Sequence, residues 1–228
     1  LIKLPLLTVF PFEFEGDVEP VNPFLKETFG QTSPPRPWIT INNAIDFARY
    51  SAVKRGACGY LDDYIVAALE SYGGQNCAWL KNMPENSRVP QILRYQTHQD
   101  NVPEMMAELQ NLQTTLSPGQ ILFHGGHWKW DLHPGVVVSQ DVPLSTSLTA
   151  VTAVCHSSNN GQQHERPFYL WVIRVGETFK APVYFYNYYT GEQQHKHEFE
   201  VLIAPGSCMR VEHFELVQDY CLVFLVLE

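Results

Sequence analysis

The spacing of apolar residues changes period part-way along the chain. Between about residues 41 and 118 it is helical. "INNAIDFARYSAVKRG" sets Ile45, Ala48 and Val53 near one face, with Asn42 or Asn43 able to cap the start. "YLDDYIVAALESYGG" predicts a second helix, with Leu61, Ile65, Ala68 and Leu69 together and Gly73-Gly74 as its stop. "PEMMAELQNLQTTL" predicts a third, started by Pro103 and ended by Ser117-Pro118-Gly119. From residue 119 onward the pattern alternates or runs continuously apolar, with turn residues between the runs. "QILFHGG", "GVVVSQDVPLSTS", "FYLWVIRVG", "APVYFYNYY", "HEFEVLIAPG", "SCMRVEHFELV" and "YCLVFLVLE" read as strands, with one short helix at "LTAVTAVCHS". Before residue 41, prolines and aromatics dominate, which predicts an extended segment lying on the body.

Helices followed by a run of strands imply an α+β fold, with antiparallel sheets and the helices packed to one side. The expected organisation is a proline-rich arm over 1–40 and one domain over 41–228. Within that domain, 41–118 forms a helical lobe and 119–228 a β core.

Composition narrows the function classes. With 45% apolar and 17% charged residues in 228, the chain reads as a globular protein able to bury a full core. A formal net charge of −9 argues against broad electrostatic binding to nucleic acid, though a local basic patch stays open. No stretch approaches the roughly 18 apolar residues needed to cross a bilayer. The opening "LIKLPLLTVFPF" is broken by Pro5 and Pro11 and makes a poor signal peptide, and the missing initiator Met suggests an excised domain or processed fragment. Five dispersed cysteines, with no C-x-x-C pair, read as reduced and mostly structural. "HGGH" and "HKH" bring His124 near His127 and His195 near His197, but no Cys pair or H-E-x-x-H run joins them, so no metal site is expected. Neither a Walker string nor a G-x-G-x-x-G after a strand is present.

One stretch stands out against this background. In "HKHEFEVLIAPG", strand alternation would put Glu198, Glu200 and Leu202 on one face and Phe199, Val201 and Ile203 on the other. Two neighbouring carboxylates on a face that Leu202 would bury repel each other and resist desolvation. Either they are solvated at an exposed strand end or they serve chemistry.

Three strings follow in chain order: "ILFHGGH" at 121–127, "PLSTSLTA" at 143–150 and "HEFEVLIAPG" at 197–206. As an ordered set behind a helical lobe, over roughly 40–228, they resemble the mono-ADP-ribosyltransferases of bacterial toxins and vertebrate ecto-enzymes. The resemblance implies a split antiparallel β-sandwich that grips NAD as co-substrate, without a metal, and passes ADP-ribose to an acceptor with release of nicotinamide. It implies a catalytic role for Glu200, which would hold the nicotinamide ribose and favour its cation. Glu198 would be the base that activates the acceptor, and Ser145 would orient Glu200. Thr146 and Ser147 would shape the nicotinamide pocket. Ser147 or Thr149 could equally be the N-cap of the following helix.

The first-strand position departs from the pattern of this clade, which has arginine before glycine. Here it is His124, followed by Gly125, a pairing found in the diphtheria-toxin and poly-ADP-ribose-polymerase branch, and the resemblance implies that both bind NAD. Histidine lacks the permanent charge and fork of arginine. Arg166 or Arg174 could supply the missing charge, with Arg166 favoured because it lies in the polar loop 156–168. In that loop Phe168 or His164 would stack on nicotinamide, although Phe168 could equally be the first core residue of its strand. Loop 186–197 would present the acceptor through Tyr188 and Tyr189.

The resulting expectation is a secreted toxin or effector, delivered to a target-cell cytoplasm, that modifies a macromolecular acceptor, a protein for preference. A cognate inhibitor or immunity protein is among the partners such a toxin admits, and membrane insertion is not. The alternatives are an inactive binding module of the same fold, or an enzyme that modifies nucleic acid or a small molecule.

Overall fold

The computed structural model describes residues 1–16, 36–71, 77–98, 100–159, 166–186 and 198–228. Its N-terminal part contributes short strands, β1 (Ile2–Leu4), β2 (Phe12–Glu15) and β3 (Trp38–Ile41). Five helices follow: α1 (Ala44–Val53), α2 (Asp62–Glu70), α3 (Cys77–Lys81), α4 (Pro90–His98) and α5 (Val102–Asn111). The β region holds β4 (Thr114–Leu116), β5 (Ile121–Gly125), β6 (Val137–Gln140) and β7 (Leu144–Ser147), then α6 (Ala150–Asn159). It ends with β8 (Phe168–Val175), β9 (Val183–Phe185), β10 (Glu200–Ile203), β11 (Ser207–Val217) and β12 (Tyr220–Leu227). The fold is α+β.

Local chemistry accounts for the helix starts. Asn43 caps α1, its Oδ1 accepting from the backbone N–H groups of Ile45 and Asp46. The buried face of α1 is Phe47, Ala48, Ser51 and Ala52, whereas Val53 is 43% exposed. The Phe47 ring turns the helix this way by packing edge-on against Phe123, with centroids 6.0 Å apart. The third predicted helix stops at Asn111, and "TTL" becomes β4. Helix α4 has Ile92 as its one buried residue, with Leu93 and Tyr95 partly buried against the same cluster.

Eight strands form one sheet, in the order β6-β11-β12-β8-β5-β7-β10-β9. Its ladders are antiparallel except for β8 and β12, which run parallel from Phe168↔Tyr220 to Val175↔Leu227. That pairing corrects a purely antiparallel expectation. Strands β9 to β11 intervene between the two, and so long a connection can return the chain in the same direction. "GVVVSQDVPLSTS", expected as one strand, is broken into β6 and β7, which lie far apart in the sheet.

The sheet is nearly severed at one point. Strands β5 and β7 share a single pair, Phe123↔Ser147, so β7-β10-β9 diverges there from the other five strands. One core cluster, including Leu122, Trp171 and Ile173, lies on the side of α2 to α5. The other, including Phe123, Leu170 and Val172, lies under α1 and α6. Residues of the arm join both. Leu4 and Leu7 are buried in the first cluster, Phe12 and Phe14 in the second, while β1 pairs with β4 and β2 with β3. Their sequestered apolar surface makes these residues part of the hydrophobic stabilisation of the body.

Candidate active site

The site grows out of the split in the sheet. In the β7–β10 ladder Ser145 lies opposite Leu202 and Ser147 opposite Glu200, which puts Ser145 diagonally beside Glu200 on one face. Ser145 Oγ donates to Glu200 Oε1 at 2.5 Å. The other oxygen, Oε2, accepts from Gln96 Nε2 at 2.7 Å. Glu200 is only 8% exposed, but Ser145 is exposed, so the carboxylate sits just inside the surface. A carboxylate this far from water depends on such donors.

Past the Phe123↔Ser147 pair, β5 and β7 part. His124 Nδ1 lies 2.6 Å from the carbonyl oxygen of Ser145. A carbonyl can only accept, so Nδ1 carries the proton and donates. Burial pushes the His124 pKa down to about 4, opposed by that backbone bond. The ring is therefore neutral at physiological pH, with Nε2 left as an acceptor. Trp171, its register partner on β8, lies against it with centroids 4.6 Å apart, and Trp128 packs on Trp171 at 5.5 Å.

The entry to β10 departs from the sequence expectation. The strand begins at Glu200, and Glu198 lies in a turn before it. Phe199 between them has φ 47°, in the left-handed region that non-glycine residues seldom occupy. The corner is held from β7 and the residue after it: Ser147 Oγ donates to the Glu198 carbonyl at 2.6 Å, and Leu148 N–H to that of Phe199 at 3.1 Å. Strand alternation therefore does not carry Glu198 onto the face of Glu200, because a left-handed residue breaks the two-residue period.

Thr146 and Ser147 are buried clamps. Thr146 Oγ1 donates to the Val201 carbonyl at 2.7 Å, and Ser147 Oγ also accepts from Thr149 N–H at 3.0 Å. Thr149 in turn donates through Oγ1 to Asp62 at 2.5 Å, which ties the start of α2 to the segment behind the site. Burial raises the Asp62 pKa to about 6, against the lowering effect of the Thr149 bond.

No protein-family model matches the chain. No curated protein matches its sequence. In structure the chain is similar to the Vis toxin, an ADP-ribosyltransferase from Vibrio splendidus, at 16% identity over 81% of this chain and 82% of that one, with a TM-score of 0.42. It is similar to C3larvin, an ADP-ribosyltransferase toxin from Paenibacillus larvae, at 12% identity over 72% of this chain and 98% of that one, TM-score 0.44. A third likeness is to BECa, an ADP-ribosylating toxin of a C. perfringens binary enterotoxin solved with NADH. That match has 13% identity over 73% of this chain and 48% of that one, with a TM-score of 0.47.

His124, Ser145 and Glu200 thus come together, and other expected site residues do not. Arg166 donates to Asp219 at 2.7 Å, and the same carboxylate takes Arg55 at 2.7 Å. Arg174 donates to Glu212 at 2.5 Å. Phe168 packs on Tyr220, its register partner, with centroids 5.5 Å apart. Strand alternation explains this placement: Phe168 shares its face with Leu170 and Val172, under α1 and α6, while Trp171 and His124 face the other side. Gly125 also faces α6, where a Cβ would stand 1.8 Å from the Ala153 carbonyl oxygen, so glycine there admits the helix. Tyr188, Tyr189 and His164 lie outside the described residues.

Gln96 was not legible from the sequence as a site residue. Its helix neighbour Tyr95 and the β-region residue Tyr186 lie near the same carboxylate. Burial and then the Glu200 charge hold both phenols above the usual tyrosine range. Two sequence signals mark α4: Pro90 at its N-terminus and the helical spacing of Val89, Ile92 and Leu93.

Proposed function

We propose that this chain is an NAD-dependent mono-ADP-ribosyltransferase that acts as a toxin or effector on a protein acceptor. The observation that carries the reading is the Ser145–Glu200 bond at the split in the sheet. A glycosidic bond to nicotinamide breaks with positive charge developing on the ribose, and a fixed, ionised carboxylate lowers the energy of that state. The Glu200 carboxyl is placed for this: both of its oxygens accept hydrogen bonds, and little water competes.

The residues present suit one end of the dinucleotide better than the other. Glu200 can accept from a ribose hydroxyl. His124 Nε2, held as an acceptor by the Nδ1 bond, can take a hydrogen bond from a hydroxyl or amide. For the pyrophosphate, Arg166 and Arg174 are already engaged by Asp219 and Glu212. Either they exchange partners on binding, or backbone donors and other cations serve. Glu198 is the proposed base for the acceptor, and Tyr188 and Tyr189 its proposed contacts. The engaged arginines favour one second reading, a module of this architecture that binds without turnover.

Labelled NAD offered to the chain in a cell lysate tests the transfer. Transfer to discrete protein bands that is lost in Glu198→Gln, with nicotinamide release retained, supports the assignment. Equal loss of both activities would sink Glu198 as acceptor base, and labelling of nucleic acid alone would overturn the protein acceptor.

A further inference from the structure

Among the described residues, two donors from opposite parts of the fold bond the Glu200 carboxylate. Ser145 comes from the adjacent strand. Gln96 comes from α4 in the helical lobe, 104 residues away in sequence. We propose that Gln96 is a positioning residue for Glu200, and that α4 is built to hold it there. The inference rests on the reading of Glu200 as the residue that stabilises the developing cation.

Among the described residues, three ties from outside the helix fix the first turn of α4. Glu108 Oε2, on α5, accepts from the Ile92 backbone N–H at 2.8 Å and satisfies an unpaired donor of the first turn. Asn101 Nδ2 donates both to the Gln91 carbonyl and to its side-chain oxygen, each at 2.9 Å. Tyr186 donates through its hydroxyl to the Ile92 carbonyl at 3.2 Å. Ile92 itself is fully buried. Ile92, Leu93 and Tyr95 pack on the core cluster, the polar ties fix the first turn, and the resulting register delivers the Gln96 amide to Oε2.

The pair is chemically specific. A side-chain amide donates to the carboxylate without neutralising it, whereas lysine or arginine at position 96 would cancel part of the charge that the ribose cation needs. With Ser145 on Oε1 and Gln96 on Oε2, the carboxyl plane is fixed before substrate arrives. A carboxylate held by one donor alone would keep rotational freedom about its terminal torsion.

Gln96→Met keeps the length and removes the donor; Gln96→Glu keeps the shape and puts a second carboxylate beside the first. The expected result in the full chain is a fall in kcat for nicotinamide release of about tenfold or more for each variant. KM for NAD should stay within about threefold at a temperature where both variants are folded, since the loss falls on the transition state. Unchanged kcat in both variants, or a loss confined to KM, would overturn the proposal.

If the wild-type chain releases no nicotinamide, the enzymatic reading fails by itself. The positioning claim is then read from the Gln96 side-chain amide by proton exchange in NMR. One slowly exchanging amide proton in the wild type, lost in Glu200→Ala, supports the pairing. Equal exchange in the two proteins overturns it.

Discussion

Ser145 Oγ stands 2.5 Å from Glu200 Oε1, although the two residues are not ladder partners. They meet diagonally across β7 and β10, where the sheet is about to part. The serine donates its only proton to the carboxylate and remains exposed on its other side, open to whatever approaches Glu200. Ser145→Ala should lower kcat for nicotinamide release by about 10- to 100-fold, with a smaller change in KM. Steady-state kinetics on folded protein checks this, and wild-type kcat in the variant would contradict it.

Gly125, expected among the NAD-binding residues, gives α6 its seat. An added Cβ would meet the Ala153 carbonyl oxygen at 1.8 Å and the Ser157 backbone nitrogen at 2.7 Å. Backbone atoms of a helix cannot swing aside as a side chain can. Gly125→Ala should therefore destabilise the fold by about 3 kcal/mol, lowering the melting temperature by roughly 6–12 °C. A melting temperature within about 1 °C of wild type would rule out this packing role.

Asp62 gives a pH-dependent test of the link between α2 and the site. Its pKa is raised from 3.8 to about 6, chiefly by burial. A carboxyl group whose folded pKa lies above its unfolded one costs no stability below about pH 4, and its full cost is reached above about pH 6. Asp62→Asn retains an acceptor for Thr149 and removes the charge. It should raise the stability at pH 7.5 by about 1–2 kcal/mol, allowing for partial solvent screening, and the gain should vanish towards pH 4. Denaturant titrations at the two pH values measure it. A gain that is equal at both, or larger at the lower, would contradict the assignment.

The contrast between Glu200 and Glu198 shows what a sequence can and cannot disclose. That Glu200, Ser145 and His124 lie together is legible in three short strings taken in chain order. The α+β class followed from a change of apolar period near residue 119. Glu198 was placed by alternation, and alternation fails at Phe199, a residue whose chemistry gives no hint of a left-handed backbone. Arg166 looked available in a polar loop, but its partner Asp219 sits in the turn between β11 and β12 and is brought to it by the parallel β8–β12 pairing. Gln96 stayed hidden for a third reason. Its helix packs Ile92, Leu93 and Tyr95 on the core, and the polar Gln96 reaches the site only through that packing.

The most direct test of the account is nicotinamide release from NAD by the purified chain, measured beside Glu200→Gln with and without cell lysate. Replacing the carboxylate by an amide keeps the shape and removes the charge opposite the ribose. The account predicts release by the wild-type chain that rises with lysate and falls by at least about 100-fold in Glu200→Gln, with folding intact. Release that survives the substitution, or none from the folded wild type under either condition, would contradict it.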